Sequence, residues 1–189
     1  MELLQAIGFS APAGLNAYLT LLLVGLAGRI GWVDLTGTWG ERLTNPYILA
    51  VLAALTVWEL AVDKIPGADH LNDIAGTVIR PLSGAVLMLA TPNPLTEESP
   101  ALAVTVGAGL AGVLHVLKAL LRPAVTLTTA GLGTPLVSAA EDAAAAGTVF
   151  TALVAPALIL ALLALLVLVF WWAFDRWRRR RAARSGLSS

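Results

Sequence analysis

Four carboxylates cluster in a short stretch of a chain that has only twelve acidic residues: Glu59, Asp63, Asp69 and Asp73. Glu59 and Asp63 are four residues apart, and so are Asp69 and Asp73. This spacing puts the two side chains of each pair on one helical face. Carboxylate oxygens are preferred ligands of hard divalent cations, and neighbouring carboxylates oppose each other's ionisation, which suits a proton relay. The stretch therefore predicts an ion site or a proton relay, with Glu59, Asp63 and Asp73 as the candidate metal ligands.

A second acidic pair, Glu141 with Asp142, lies in the other half of the chain. Ionisable groups at membrane depth are costly and are interpreted by default as functional. We therefore expect this pair to form the other half of a two-part site. Neutral or titratable side chains that could support the site are Asn16, Asn72 and His70. For Asp69 and His70, a solvated loop is the alternative interpretation.

Four basic residues accompany these acids: Lys64, Arg80, Lys118 and Arg122. They allow two alternatives to an ion site. In the first, the bases only neutralise the acids in a packed bundle, because buried charges have to be paired. The expected pairs are then Glu59 with Lys118, and Asp63 or Asp73 with Arg80 or Arg122. In the second, Arg80, Lys118 and Arg122 bind the phosphate of a lipid or polyprenyl phosphate, since the planar guanidinium binds phosphate oxygens in pairs.

Composition places these charges in a membrane protein. Apolar residues make up 58% of the chain and charged residues 13%, and the mean hydropathy is +0.82. A soluble domain carries roughly 25% charged residues. Several windows reach the ~20 apolar residues that a membrane-spanning helix requires, so we predict an all-α, polytopic helical bundle. The chain has no cysteine, which excludes a disulfide framework and a thiolate metal site.

The apolar segments predict about six spans joined by short connections. The first is interpreted as a retained span rather than a signal peptide, and Pro12 and Asn16 predict a kink in it. The fourth ends in His115, Lys118 and Arg122, whose spacing of three and four forms one polar stripe. The fifth is rich in glycine and proline and is expected to be broken into half-helices at Gly131, Gly133 and Pro135. The expected spans are residues 3–28, 46–64, 74–90, 101–122, 123–146 and 148–174.

The distribution of cations predicts the orientation. Six of the twelve cations lie in residues 176–189, which indicates a cytoplasmic tail by the positive-inside rule. Residues 1–175 are expected to form one transmembrane domain in a bacterial inner membrane, with the N-terminus inside and the loop at 91–100 outside. Residues 1–91 and 100–175 would then be two three-span repeats of opposite orientation, as in some transporters.

Several runs carry a resemblance that covers almost the whole chain apart from the tail: GLNAYLTLLLVGLAGR, WELAVDKIPGADHLND, IRPLSGA, KALLRP and PLVSAAED. The sequence resembles a bacterial integral-membrane family known as domain of unknown function 4126, which implies a membrane location and no particular activity. The Glu-x-x-x-Asp-Lys run at 59–64 also resembles the Glu-x-Gly-Asp-Lys signature of small two-repeat cation and proton exchangers. Here the spacing is one residue longer and the glycine is absent.

These features predict a small membrane transporter for a divalent cation, or one coupled to protons, that uses the intramembrane carboxylates. The alternatives are a lipid or polyprenyl-phosphate translocase or binder and a non-transporting membrane scaffold. No catalytic motif is present, so an enzyme is not expected and no cofactor is implied beyond a divalent cation. The expected partners are the lipid bilayer and a small ion or lipid-phosphate substrate, not nucleic acid. Self-association is left open.

Overall fold

The chain is almost entirely helical. The computed structural model describes the backbone at residues 1–63, 68–130 and 132–185, and the side chains there except at 68–73, 177 and 180–185. It is 87% helical, and the described residues contain no strand, which confirms the predicted all-α class. The helices are α1 (Glu2–Ser10), α2 (Ala17–Arg29), α3 (Gly37–Leu43), α4 (Pro46–Val62), α5 (Ala68–Ala90), α6 (Pro94–Glu98), α7 (Pro100–Thr129), α8 (Thr134–Val154) and α9 (Ile159–Ser185).

The first apolar segment is broken where its sequence predicts. Helix α1 passes into a 3₁₀ turn at Ala11–Gly14 that has Pro12 in its first positions, and α2 starts only at Ala17. Asn16 caps α2, because its Oδ1 accepts a hydrogen bond from the backbone N–H of Leu19 at 3.0 Å. The kink therefore exposes backbone groups of this segment to the interior of the bundle.

Several helices have the length and composition of membrane spans. Among the described residues, α7, α8 and the segment 156–176 qualify alone, and α3 with α4 qualifies as a fourth span that bends by 67°. Helix α2 and residues 74–90 of α5 are shorter apolar helices. The membrane class is thus confirmed, while the count of six spans stays a prediction.

The helix is interrupted between Thr129 and Thr134, where the sequence predicts a break, but the expected start of the broken span at residue 123 is wrong. Helix α7 continues through Pro123 to Thr129, and it ends where Ala130 adopts a left-handed backbone conformation with φ of 50°. A membrane helix tolerates an internal proline when neighbouring groups satisfy the freed carbonyl. The next helix starts at Thr134, so Glu141 and Asp142 lie in the middle of a helix rather than near the end of a span.

The close crossing of α5 and α7 brings two polar side chains together. A Cβ atom added to Gly84 would collide with the carbonyl oxygen of Gly107, and one added to Gly107 would lie 2.5 Å from that of Gly84. The two backbones therefore touch, as small residues allow in membrane helix pairs. Arg80 lies one turn before Gly84, and His115 lies two turns after Gly107, so the contact brings these two side chains together.

Candidate functional site

Six buried ionisable side chains from both halves of the chain meet inside the bundle. We call them the charge network, and each of them is at most 5% exposed. Helix α4 and its C-terminal cap contribute two acids, α8 contributes one acid, and α5 and α7 contribute the bases. The members are Glu59, Asp63, Arg80, Lys118, Arg122 and Glu141.

One end of the network centres on Arg80. Its Nη2 donates to Glu59 Oε1 at 3.2 Å, and its Nη1 lies 2.7 Å from His115 Nδ1. A guanidinium has no acceptor, so this ring nitrogen accepts and the imidazole is neutral with its proton on Nε2. That nitrogen lies 3.2 Å from the hydroxyl of Thr77. Glu59 also contacts α2: the backbone N–H of Tyr18, in the first turn of that helix, lies 3.5 Å from Glu59 Oε2. The N-terminal end of a helix favours a carboxylate because of the helix dipole.

Lys118 connects the two halves of the chain. Its Nζ lies 3.0 Å from Asp63 Oδ2 and 3.2 Å from Glu141 Oε2. The same ammonium donates to the backbone carbonyl of Leu15 at 2.7 Å. Leu15 follows the 3₁₀ turn, so the lysine satisfies a carbonyl that the break between α1 and α2 leaves without a helical partner.

Arg122, one turn along α7 from Lys118, repeats this bridge. Its Nη2 lies 2.8 Å from Asp63 Oδ2 and 2.8 Å from Glu141 Oε2. The two carboxylates therefore share two cations, and all four charges are nearly excluded from solvent. Removing one partner from such a buried arrangement leaves a charge uncompensated, which is more costly than losing an exposed ion pair.

Glu141 is held through only one of its two carboxylate oxygens. Oε2 receives Lys118 and Arg122, whereas Oε1 is buried and accepts no hydrogen bond from any described residue. A buried acceptor without a donor costs free energy. This oxygen is therefore the position in the network where an added donor would be most favourable.

Asp142 joins the arrangement through an amide. Its Oδ1 accepts a hydrogen bond from Asn16 Nδ2 at 2.9 Å, and Asn16 is fully buried. The asparagine thus caps α2 with its oxygen and holds α8 with its nitrogen. Counting only the side chains that the structure describes, the charge network contains three acids and three bases, and Asp142 adds a fourth acid beside it.

The structure brings most of the predicted site together. Asp63 pairs with Arg122, as one alternative predicts, whereas Glu59 faces Arg80 and the expected pair of Glu59 with Lys118 is wrong. The polar stripe of α7 points into the protein, as its spacing indicates. Five predicted residues fall outside the described side chains, and their roles stay predictions: Lys64, Asp69, His70, Asn72 and Asp73.

The predicted metal site has no counterpart among the residues that can be placed. Within the described part of the chain, no group of three or more histidine or acidic side chains is arranged to hold a metal ion. Glu59 and Asp63 each lie against a cation instead. Their assignment as metal ligands would need Asp73, whose side chain is not described, and it remains a prediction.

Sequence reasoning missed two groups: the hydroxyl of Thr77, which contacts His115 beside the network, and the carbonyl of Leu15, which contacts Lys118. Thr77 is one turn before Arg80 on α5, so its position on the same helical face was a signal that could have identified it. The carbonyl of Leu15 carries no signal of its own, but the proline-containing break just before it implies a carbonyl in need of a donor.

Comparison with curated proteins and with solved structures gives no match to this chain. A family model, Domain of unknown function (DUF4126), matches residues 3–176. The matched segment includes every member of the charge network, together with Asn16 and Asp142. This chain belongs to the family of that domain of unknown function.

Proposed function

We propose that this chain is a proton-coupled membrane transporter in which Glu141, at the junction of the two halves, takes up and releases the proton. The observation that carries the proposal is the buried Oε1 of Glu141, which accepts no hydrogen bond from any described residue. A charged carboxylate at membrane depth costs roughly 3 kcal/mol or more unless it is fully compensated. A proton on Oε1 removes the charge that this oxygen exposes to an apolar interior.

The contacts favour a proton over a divalent cation. Carboxylates that coordinate Ca²⁺ or Mg²⁺ must turn their oxygens towards a common point, whereas Asp63 Oδ2 and Glu141 Oε2 already accept from Lys118 and Arg122. A proton needs a single oxygen and no rearrangement of the cations. Glu141 can take it up on Oε1 while Oε2 keeps both of its contacts.

The same contacts weigh against phosphate as the principal ligand. Arg80, Lys118 and Arg122 each hold a carboxylate at 3.2 Å or less. A lipid phosphate would have to displace these carboxylates and would add negative charge to a cluster whose described cations are already matched by acids. Desolvating that charge without new cations is unfavourable.

Proton movement in liposomes tests the proposal. Purified full-length protein is reconstituted around a pH-sensitive dye, and a pH gradient is imposed with the membrane potential clamped. We expect proton flux above that of empty liposomes, and we expect Glu141→Gln to abolish it, because glutamine keeps the size and an acceptor oxygen but cannot take up the proton. Glu98→Gln, in an exposed acid of α6, is the matched control and should conduct like the wild type. Equal flux in Glu141→Gln and the control would refute the proposal.

A further inference from the structure

An apolar groove lies on the outside of the bundle, between α7, α8 and α9. Its volume is about 440 Å³, within the range of small-molecule sites. The groove is open on one side, because several of its lining side chains are exposed: Thr128, Ala140, Val169 and Trp172. The three helices have the length and composition of membrane spans, so this open side faces the bilayer. An occupant can therefore enter sideways from the lipid.

The groove follows one face of α9 and ends at a cation. The residues of α9 on this face recur every three or four positions: Leu166, Val169, Phe170, Ala173 and Arg176. From Leu166 to Arg176 the face covers about 15 Å at the helical rise per residue, half of the ~30 Å hydrocarbon core. The groove thus has about the depth of one leaflet, with its charged end at the close of the apolar segment 156–176.

Arg176 supplies a positive charge at this end of the groove. Its side chain is exposed, and its guanidinium lies over the Trp172 ring at 5.0 Å. Among the described residues it has no carboxylate partner, whereas Arg179 of the same helix pairs with Asp175 at 2.7 Å. Tryptophan side chains and the charged ends of long basic side chains are typical of the level of the lipid headgroups. The groove therefore offers an apolar wall at membrane depth and a cation at headgroup depth.

The acid that lines the groove does not oppose a negatively charged occupant. Glu141 is 5% exposed, so its carboxylate presents little surface to the groove. Its Oε2 lies against Lys118 and Arg122, which compensate its charge. The exposed charge of the described lining is that of Arg176, and it is positive.

We propose that the groove binds an anionic phospholipid, with one acyl chain along the apolar walls and the phosphate at Arg176. A guanidinium binds phosphate oxygens in pairs, and basic residues at the membrane surface attract anionic lipids. A zwitterionic lipid carries its own cation beside the phosphate and gains less from Arg176. The site is separate from the buried bases of the charge network, so the inference does not depend on the proton-coupled function.

Native mass spectrometry tests the inference, because it counts bound lipids by their mass. The purified full chain, freed of lipid in detergent, is titrated with palmitoyl-oleoyl phosphatidylglycerol or with phosphatidylcholine of the same acyl chains. We expect the first phosphatidylglycerol to bind about fivefold more tightly, the effect of roughly one basic residue at a lipid surface. Equal affinities for the two lipids would overturn the inference, and so would a dimer that excludes lipid, since a second copy would then occupy the groove.

A pair of arginine variants tests the position of the headgroup. Arg176→Gln should lower the affinity for phosphatidylglycerol about fivefold, to that for phosphatidylcholine, and leave phosphatidylcholine unchanged. Arg178→Gln removes an exposed cation that does not line the groove and should bind like the wild type. Equal losses in the two variants would show a general attraction by the basic tail and would overturn the site at Arg176.

A pair of alanine variants tests the position of the acyl chain, so a failure to fold in one pair does not leave the matter open. Ala140→Phe fills the groove and should weaken the binding of both lipids. Ala139→Phe, on an exposed neighbour that does not line the groove, should bind both like the wild type. Wild-type lipid binding in Ala140→Phe would overturn the assignment of the groove.

Discussion

Replacing Lys118 by methionine removes a cation that contacts two acids of the charge network and one backbone carbonyl. The side chain is fully buried, and its Nζ contacts Leu15 O, Asp63 Oδ2 and Glu141 Oε2 within 3.2 Å. Methionine keeps the length of the chain without the charge. The three acids of the network then face two bases. The carbonyl of Leu15, between α1 and α2, loses its hydrogen-bond donor.

Two estimates of the cost differ enough to be told apart. If the lysine contributed only ordinary hydrogen bonds, three bonds at about 0.6 kcal/mol each in a membrane protein would sum to about 2 kcal/mol. If the uncompensated carboxylates dominate, the loss is about 3–5 kcal/mol, as for removing one partner of a buried ion pair. Because both carboxylates are at most 5% exposed, water cannot easily replace the cation. We therefore expect the larger value.

The measurement is reversible unfolding of the purified full chain in mixed micelles, followed by far-ultraviolet circular dichroism. A second variant, Lys118→Met with Asp63→Asn, restores the balance of acids and bases in the network and should recover part of the loss. Neighbours in one ion-pair network typically show coupling free energies of about 0.5–3 kcal/mol. A loss of about 2 kcal/mol or less in the single variant, or a double variant whose loss is the sum of the two single losses, would refute the reasoning.

Two further predictions concern packing and orientation. Gly107→Ala should destabilise the protein by about 1–3 kcal/mol, because the new methyl would meet the backbone of α5, whereas Gly109→Ala on the same helix meets nothing within 4 Å and should be neutral or slightly stabilising in the same unfolding assay. Since the chain has no cysteine, single-cysteine variants report orientation cleanly: Ser188→Cys in the tail should be protected from a membrane-impermeant thiol reagent in intact cells, and Glu98→Cys should be labelled. Reversed labelling of these two variants would contradict the predicted orientation.

The residues of the network were predictable from sequence, but of their pairings only that of Asp63 with Arg122 was among the expected ones. Spacing along a helix shows that Lys118 and Arg122 share one face, and scarcity of charge marks Glu59, Asp63 and Glu141 as exceptional. Which acid meets which base depends on the rotation and depth of each helix. Those are set by tertiary contacts such as the backbone contact of Gly84 with Gly107, which no local pattern specifies.

The length of α7 illustrates the same limit. Pro123 carries a strong local signal for a break, yet α7 continues past it, and the helix ends at Ala130, a residue type with no preference for the left-handed conformation. Local propensity is outweighed here by the tertiary context of a long helix within the bundle. The apolar groove was likewise beyond prediction, since it exists only through the placement of α9 against α7 and α8.

The charge network has a structural and a functional aspect that do not exclude each other. Lys118 and Arg122 hold the two halves of the chain together through Asp63 and Glu141, which accounts for their burial without any ligand. Pairing alone does not account for the second oxygen of Glu141, which is buried without a described donor. A proton on that oxygen would reduce the negative charge that Oε2 presents to Lys118 and Arg122. Protonation of Glu141 would thus weaken the attraction between α8 and the cations of α7, the contact that joins the halves of the protein.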